Sequence, residues 1–304
     1  MSRLDAALRR ASTGMVESPP DEPPSSVEVF GPEDQSPYEP EAILSRPGPI
    51  AEDDRRPVGD VPDDSPTAPR FRAFSAEHAE KLITSAAMPT LLRESYRRLA
   101  ATLHHAQAES GIKTVMVTSA LPDEGKTLTA TNLALTLSES FQRRVLLIDA
   151  DLRRPSLDDV FQVPNIFGLN EALTSMPERR VSLIQISRWL SLLTAGAPDP
   201  DPMSTLTSER MQHLLSEAAA AFEWVILDTP PIGILTDAKL LGAMADAALL
   251  VVRAGRTPAD LVQRAVDAVG RNRVIGVVLN RVDMGPSGRS QGYYSSYYSG
   301  SNRR

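Results

Sequence analysis

Three short stretches of this chain carry residue types suited to holding a phosphate chain. The first, "VMVTSALPDEGKTLTATNLAL", reads as a buried strand, a loop ending in Gly125-Lys126-Thr127, and a helix. That order aims backbone N–H groups and the positive end of a helix dipole at one point, where an anionic phosphate is stabilised. Lys126 would reach the β- and γ-phosphates and the Thr127 hydroxyl would ligate Mg²⁺. Asp123, Glu124, Gly125 and Leu128 complete the expected nucleotide-binding loop, although Ala120 stands where G-x-x-x-x-G-K-[ST] has its first glycine. The second stretch, "VLLIDADLRR", ends a strand at Asp149 and continues to Asp151; the third, "WVILDTPP", ends at Asp228 and is stopped by Pro230 and Pro231. Parallel strands deliver their C-terminal residues into the crevice where α/β folds bind ligands, so these carboxylates should face the phosphates. Lys126, Asp149, Asp151 and Asp228 form the expected catalytic set, with Thr127, Asp151 and Asp228 as metal ligands and ATP with Mg²⁺ as the bound species. Asn280, at the end of "VIGVVLN", is a candidate adenine contact or an ordinary turn residue. Asp237 reads as a helix cap, and Arg153 and Arg154 as a solvated pair, a phosphate contact or a contact to an acidic partner.

The elements that must position these residues are legible as apolar runs separated by helical patterns. "KTVMVTS", "RVLLID", "WLSLLTAG", "WVILDTP", "AALLVVRAG" and "VIGVVLN" read as strands apolar on both faces. Helices are expected from Thr127 to about Ser140, near Ser204 to Ala221 and from Pro258 to Gly270, with a helix-rich insert after Asp151. Alternation of this kind predicts an α/β fold, a P-loop NTPase-like, doubly wound, mostly parallel sheet flanked by helices. Ahead of it, "MPTLLRESYRRLAATLHHAQ" reads as an amphipathic helix with Leu92, Tyr96, Leu99 and Leu103 on its apolar face.

The chain of 304 residues, 41% hydrophobic, suffices for one sizeable core. Its net charge of −7 is concentrated in residues 1–75, which hold 15 acidic against 8 basic residues and leave 24 of each in the rest. With 13 of the 25 prolines, that segment has the composition of a disordered acidic arm. A short amphipathic helix is the expectation for its first residues. The absence of cysteine excludes disulfides and thiolate metal sites, and the four histidines show no ligand spacing. No apolar run reaches the roughly 20 residues of a membrane span, and the N-terminus lacks the apolar core of a signal peptide. A cytoplasmic location is expected, with no nucleic-acid partner. Three segments follow: the arm over 1–75, a folded domain over 76–283 and a flexible Gly/Ser-rich tail over 284–304.

That tail, "QGYYSSYYSGSNRR", places four of the six tyrosines, Tyr293, Tyr294, Tyr297 and Tyr298, inside six residues that cannot bury them. "ALPDEGKT", "VLLIDADLR" and "VILDTPP", followed by this cluster, resemble the bacterial tyrosine kinase family, whose members act in capsular and exopolysaccharide production. The resemblance covers residues 85–304. It implies Lys126 as the Walker A lysine, Asp149 and Asp151 as the Walker A-prime aspartates, Asp228 as the Walker B aspartate, and the tail tyrosines as phosphorylation sites. It also implies a homo-oligomer in which one tail enters a neighbour's site, a membrane adaptor of the polysaccharide co-polymerase type that recruits the chain to the inner face of the membrane, and a tyrosine phosphatase. "ESYRRLAATL" resembles the family's oligomerisation helix through Glu94 and Arg97, with Ala100 in place of the second arginine and Arg98 as the candidate substitute. Two other classes share the phosphate loop: positioning ATPases of the ParA/MinD type, whose extra loop lysine is Leu121 here, and a non-catalytic nucleotide-dependent scaffold.

Overall fold

The computed structural model describes residues 71–174 and 183–282. Residues 1–70 and 283–304, including most of the expected arm and the tyrosine tail, lie outside the described residues. Seven strands form one sheet: β1 (Thr114–Ser119), β2 (Val145–Asp149), β3 (Ile184–Gln185), β4 (Leu190–Leu193), β5 (Trp224–Asp228), β6 (Ala247–Arg253) and β7 (Val274–Asn280), in spatial order β3-β4-β2-β5-β1-β6-β7. All pairings are parallel except β3 with β4. The antiparallel edge strand β3 falls in the stretch read as a helix-rich insert; two residues give too little pattern to tell strand from loop.

Every residue of β1, β2, β4 and β5 is buried, which explains their unbroken apolar runs: side chains on both faces meet helices. On one face, Val115, Val117, Leu147 and Ile226 join Leu103, Leu133 and Leu137 from α1 (Thr90–Ser110) and from α2 (Lys126–Leu135) with its continuation. On the other, Met116, Leu146, Ile148 and Leu227 pack with Met211 and Leu214 of α5 (Glu209–Ala221), Leu241 of α6 (Thr236–Met244) and Ala265 of α7 (Ala259–Val269). Two short helices, α3 (Leu157–Phe161) and α4 (Leu169–Thr174), lie in the connection between β2 and β3. The sheet is thus sandwiched between two helical layers.

Helix α2 is buried from Thr129 through Leu135 and runs on as a π-helical turn over Thr136–Ser140. Its buried Asn132 is satisfied across the chain: its Oδ1 accepts from Ile83 N at 2.8 Å and its Nδ2 donates to Lys81 O at 3.0 Å. Helix α1 covers it, ending at Gly111 with φ +70°, the left-handed terminus glycine favours. The covering face is the one read in the sequence at Tyr96, Leu99 and Leu103 and departs from it at Leu92. Ala100 and Leu103 are fully buried and Leu99 is half-buried, whereas Leu92, expected on that face, is 46% exposed. Ala100 sits where a long side chain would have to enter the core.

Two boundaries are also corrected. The helix expected over 204–221 breaks at Ser208, whose hydroxyl accepts from Met211 N at 3.2 Å and so caps α5. The packed chain begins ahead of residue 76: the rings of Phe71 and Phe74 lie 4.9 Å apart, and both meet Phe161 at 5.9 and 5.3 Å.

Candidate functional site

Pairing register brings the chemistry together. Val117 of β1 lies beside Asp228 of β5, and Asp228 lies directly beside Asp149 of β2. The phosphate loop leaves β1 at the same end of the sheet. An open cavity of about 660 Å³ lies here, lined by Gly125, Lys126, Thr127, Asp151, Arg153 and Ile234 among others. Asp123 and Leu128 also line it.

The loop is braced by the residue the sequence assigns to nucleotide contact. Glu124 is 2% exposed, and its carboxylate turns inward. One oxygen accepts from Leu121 N at 2.9 Å; the other accepts from Arg253 N at 3.2 Å and from the Thr257 hydroxyl. Its backbone carbonyl accepts from Asn280 Nδ2 at 2.8 Å. Asn280 therefore serves the loop from β7, and its amide holds the space beside Gly125. A Cβ at Gly125 would fall 2.1 Å from that nitrogen, on a backbone with φ +93°. Glycine is required twice over, by conformation and by room.

Lys126 extends into a carboxylate pair. Its Nζ lies 3.1 Å from Asp151 Oδ2, 3.8 Å from Asp228 Oδ1 and 3.5 Å from the Thr127 hydroxyl. Burial works to lower its pKa, but Asp228 and Asp151 outweigh that and raise it, so the ammonium keeps its charge. Asp228 is fully buried, and neither carboxylate oxygen has a hydrogen-bond partner. Burial first pushes its pKa up, opposed by Lys126. Orphaned buried oxygens are rare. Together with Asp151 and the Thr127 hydroxyl they make an all-oxygen donor set of the kind a hard divalent cation takes. The site fits Mg²⁺.

Asp149 has a different environment. One oxygen accepts from Ser156 N and Leu157 N, both at 2.9 Å, and the other from Asp151 N at 3.2 Å. It holds the loop between β2 and α3 in shape and lies one layer behind the cavity wall. Burial, and then the Asp228 carboxylate, push its pKa up to about 7 against the pull of those N–H groups. An unfolded aspartate titrates near 3.9. Between the two values the folded state keeps a proton that the unfolded state has released, so this contribution to stability is present at low pH and lost as pH rises from about 4 to about 7. In metal-free buffer the melting temperature should decline across that window, and Asp149→Asn should flatten the decline; thermal melts at stepped pH check it.

Two further residues are placed differently from their reading. Asp237 is not a cap: it lies within the first turn of α6, 1% exposed, and binds Arg153. Arg153 is therefore not a solvated surface group, whereas Arg154 is exposed at the cavity rim. Glu94 and Arg97 form an ion pair at 2.5 Å on the outer side of α1, and Arg98 is exposed beside them.

Residues 115–294 match the CobQ/CobB/MinD/ParA nucleotide-binding domain family. Within it, the chain is 37% identical over 195 residues to the tyrosine-protein kinase YwqD of Bacillus subtilis, a match spanning 63% of this chain and 81% of that one. The chain belongs to the bacterial tyrosine kinases of this nucleotide-binding family. A second tyrosine-kinase relative by fold is the solved kinase domain of Escherichia coli ETK, with 32% identity, a TM-score of 0.57, and coverage of 62% of this chain and 76% of that one. The succinoglycan biosynthesis transport protein ExoP of Rhizobium meliloti is 34% identical over 203 residues, but the match spans only 26% of its length against 64% of this chain. Much of such longer relatives thus has no counterpart in the matched region. What sequence reasoning missed in this kinase-family site is the bracing: Glu124, Thr257 and Arg253 are brought together only by the β1–β6 pairing, and nothing local announces it.

Proposed function

We propose that this chain is an ATP-dependent protein-tyrosine autokinase acting on its own C-terminal cluster, Tyr293, Tyr294, Tyr297 and Tyr298, in trans within a homo-oligomer. The observation that carries the reading is Lys126, held by the phosphate loop between Asp151 and the orphaned Asp228. This is an ammonium ready to exchange carboxylates for phosphates, in a chain related to a tyrosine-protein kinase. Binding of ATP sets its phosphate chain against the N–H groups at the start of α2, with Lys126 on the transferring group. A bound magnesium ion, held by Thr127, Asp151 and Asp228, supplies charge neutralisation on the phosphates. The phenol oxygen bonds to the γ-phosphorus as the bond to the bridging oxygen breaks, leaving ADP. The phenolic proton passes to a carboxylate. Asp149, with its raised pKa, is the assigned acceptor; it is reached by displacing its contacts with the loop between β2 and α3.

Glu94, Arg97 and Arg98 of α1 are assigned to contacts between copies, the outer face of that helix being unoccupied by the sheet. Relatedness to ExoP supports a place in exopolysaccharide production or export. No helix among the described residues is long and apolar enough to cross a membrane, and a membrane adaptor of the co-polymerase type is assigned as partner, with a tyrosine phosphatase to reset the tail. The test is the intact mass of the purified chain after incubation with ATP and Mg²⁺. Phosphate additions mapping to the tail tyrosines are expected; unmodified rings in ATP-saturated material would leave only a nucleotide binder.

A further inference from the structure

Two loops carry the carboxylates that flank Lys126, and they belong to different strands. Asp151 follows β2; Asp228 ends β5, and the chain beyond it runs through Pro230 and Pro231 into α6. Arg153 joins them. Its Nε donates to Asp237 Oδ2 at 2.5 Å and its Nη2 to Asp237 Oδ1 at 3.3 Å, a two-pronged contact with the first turn of α6. Its Nη1 donates to the Pro200 carbonyl, and Asp201 lies 3.8 Å away. Backbone contacts tighten the same junction, with Asp199 N donating to Leu152 O at 2.9 Å and Arg154 N to Asp151 Oδ1 at 3.1 Å.

Asp237 is 1% exposed and its partner is a cation from another element. The Arg153 side chain is 29% exposed, and an ion pair open to solvent on one side contributes little to stability by itself. What it does supply is a fixed relative position for the two elements it joins. The loop after β5 is already anchored to β1 on its other side: Thr118 donates its hydroxyl to Pro230 O at 2.8 Å, and Gly233 is pressed so closely on Ala120 that a Cβ there would lie 2.4 Å from the Ala120 carbonyl oxygen. Arg153 and Asp237 close the remaining side of a ring that runs from Asp151 through the pair to Asp228 and back across Lys126.

We propose that Arg153 and Asp237 form a positioning pair that sets the separation of Asp151 and Asp228, and thereby the cation affinity of the site. This rests on the reading of the cavity as a magnesium-nucleotide site. Outer partners of metal ligands typically contribute 10- to 100-fold in metal affinity. Arg153→Lys, Asp237→Asn and the double change Arg153→Ala with Asp237→Ala test it; the first keeps the charge that Asp237 needs, and the last leaves no buried charge unpaired. Binding of a fluorescent ATP analogue is measured first with chelator and then against rising Mg²⁺. Expected are a Mg²⁺ requirement raised about 10- to 100-fold after each variant is referred to its own affinity in chelator, and a double variant no worse than the worse single one. A Mg²⁺ requirement unaltered in all three, or single losses that multiply in the double variant, would overturn the pair. Tail phosphorylation of the unaltered chain is followed in parallel: its absence removes the kinase reading, while the Mg²⁺ titration still decides the role of Arg153 and Asp237.

Discussion

Lys126→Met is expected to abolish tail phosphorylation, with a loss of at least about 10³-fold. Removing a single preorganised charge donor from a transition state commonly lowers turnover by 10²- to 10³-fold, and cations on a transferring phosphoryl group contribute 10³ to 10⁵. Lys126 has a second effect visible in the resting structure, where its ammonium is the charge set against both Asp151 and the fully buried Asp228. Without it, the buried Asp228 loses the charge that opposes the upward push of burial on its pKa. Incorporation of label from ATP measures the loss; normal labelling in this variant would refute the site assignment.

Replacing Tyr293, Tyr294, Tyr297 and Tyr298 together by Phe should remove nearly all phosphate incorporation while leaving ATP binding unchanged. The substitution deletes four acceptor oxygens and touches nothing among the described residues that line the cavity. In the unaltered chain, full modification adds about −1.5 to −2 per tyrosine, about −6 to −8 in all, so charge-resolved electrophoresis before and after ATP gives a direct count. Incorporation that persists would point to another phenol. Tyr96 is a poor candidate: burial against α2 raises its pKa, and its hydroxyl is engaged by Thr129 and Asn132. Tyr38 or an outside substrate would then be sought.

The carboxylates and the lysine were legible because each sits at a strand end or helix start, where a local pattern of apolar residues marks the element and topology does the rest. Asp149 and Asp228 lie side by side at their strand ends, and Lys126 reaches Asp151 and Asp228, but Asp149 turns to the N–H groups of Ser156 and Leu157. The roles of Glu124 and Asp237 were hidden for a common reason. Each is an acidic residue at a position usually wet, in a loop or a helix first turn, and only a partner more than 80 residues away turns it inward. On α1 the stripe was legible in Tyr96, Leu99 and Leu103, while Leu92 obeys the helical period yet is 46% exposed and a smaller residue, Ala100, is fully buried. Periodicity reports a stripe; it does not report how far the covering layer extends.

Asn280, at the end of the last described strand, grips the Glu124 carbonyl beside Gly125. The cradle thus borrows a strut from an element 156 residues further along the chain, and losing that one amide would slacken the turn around Gly125.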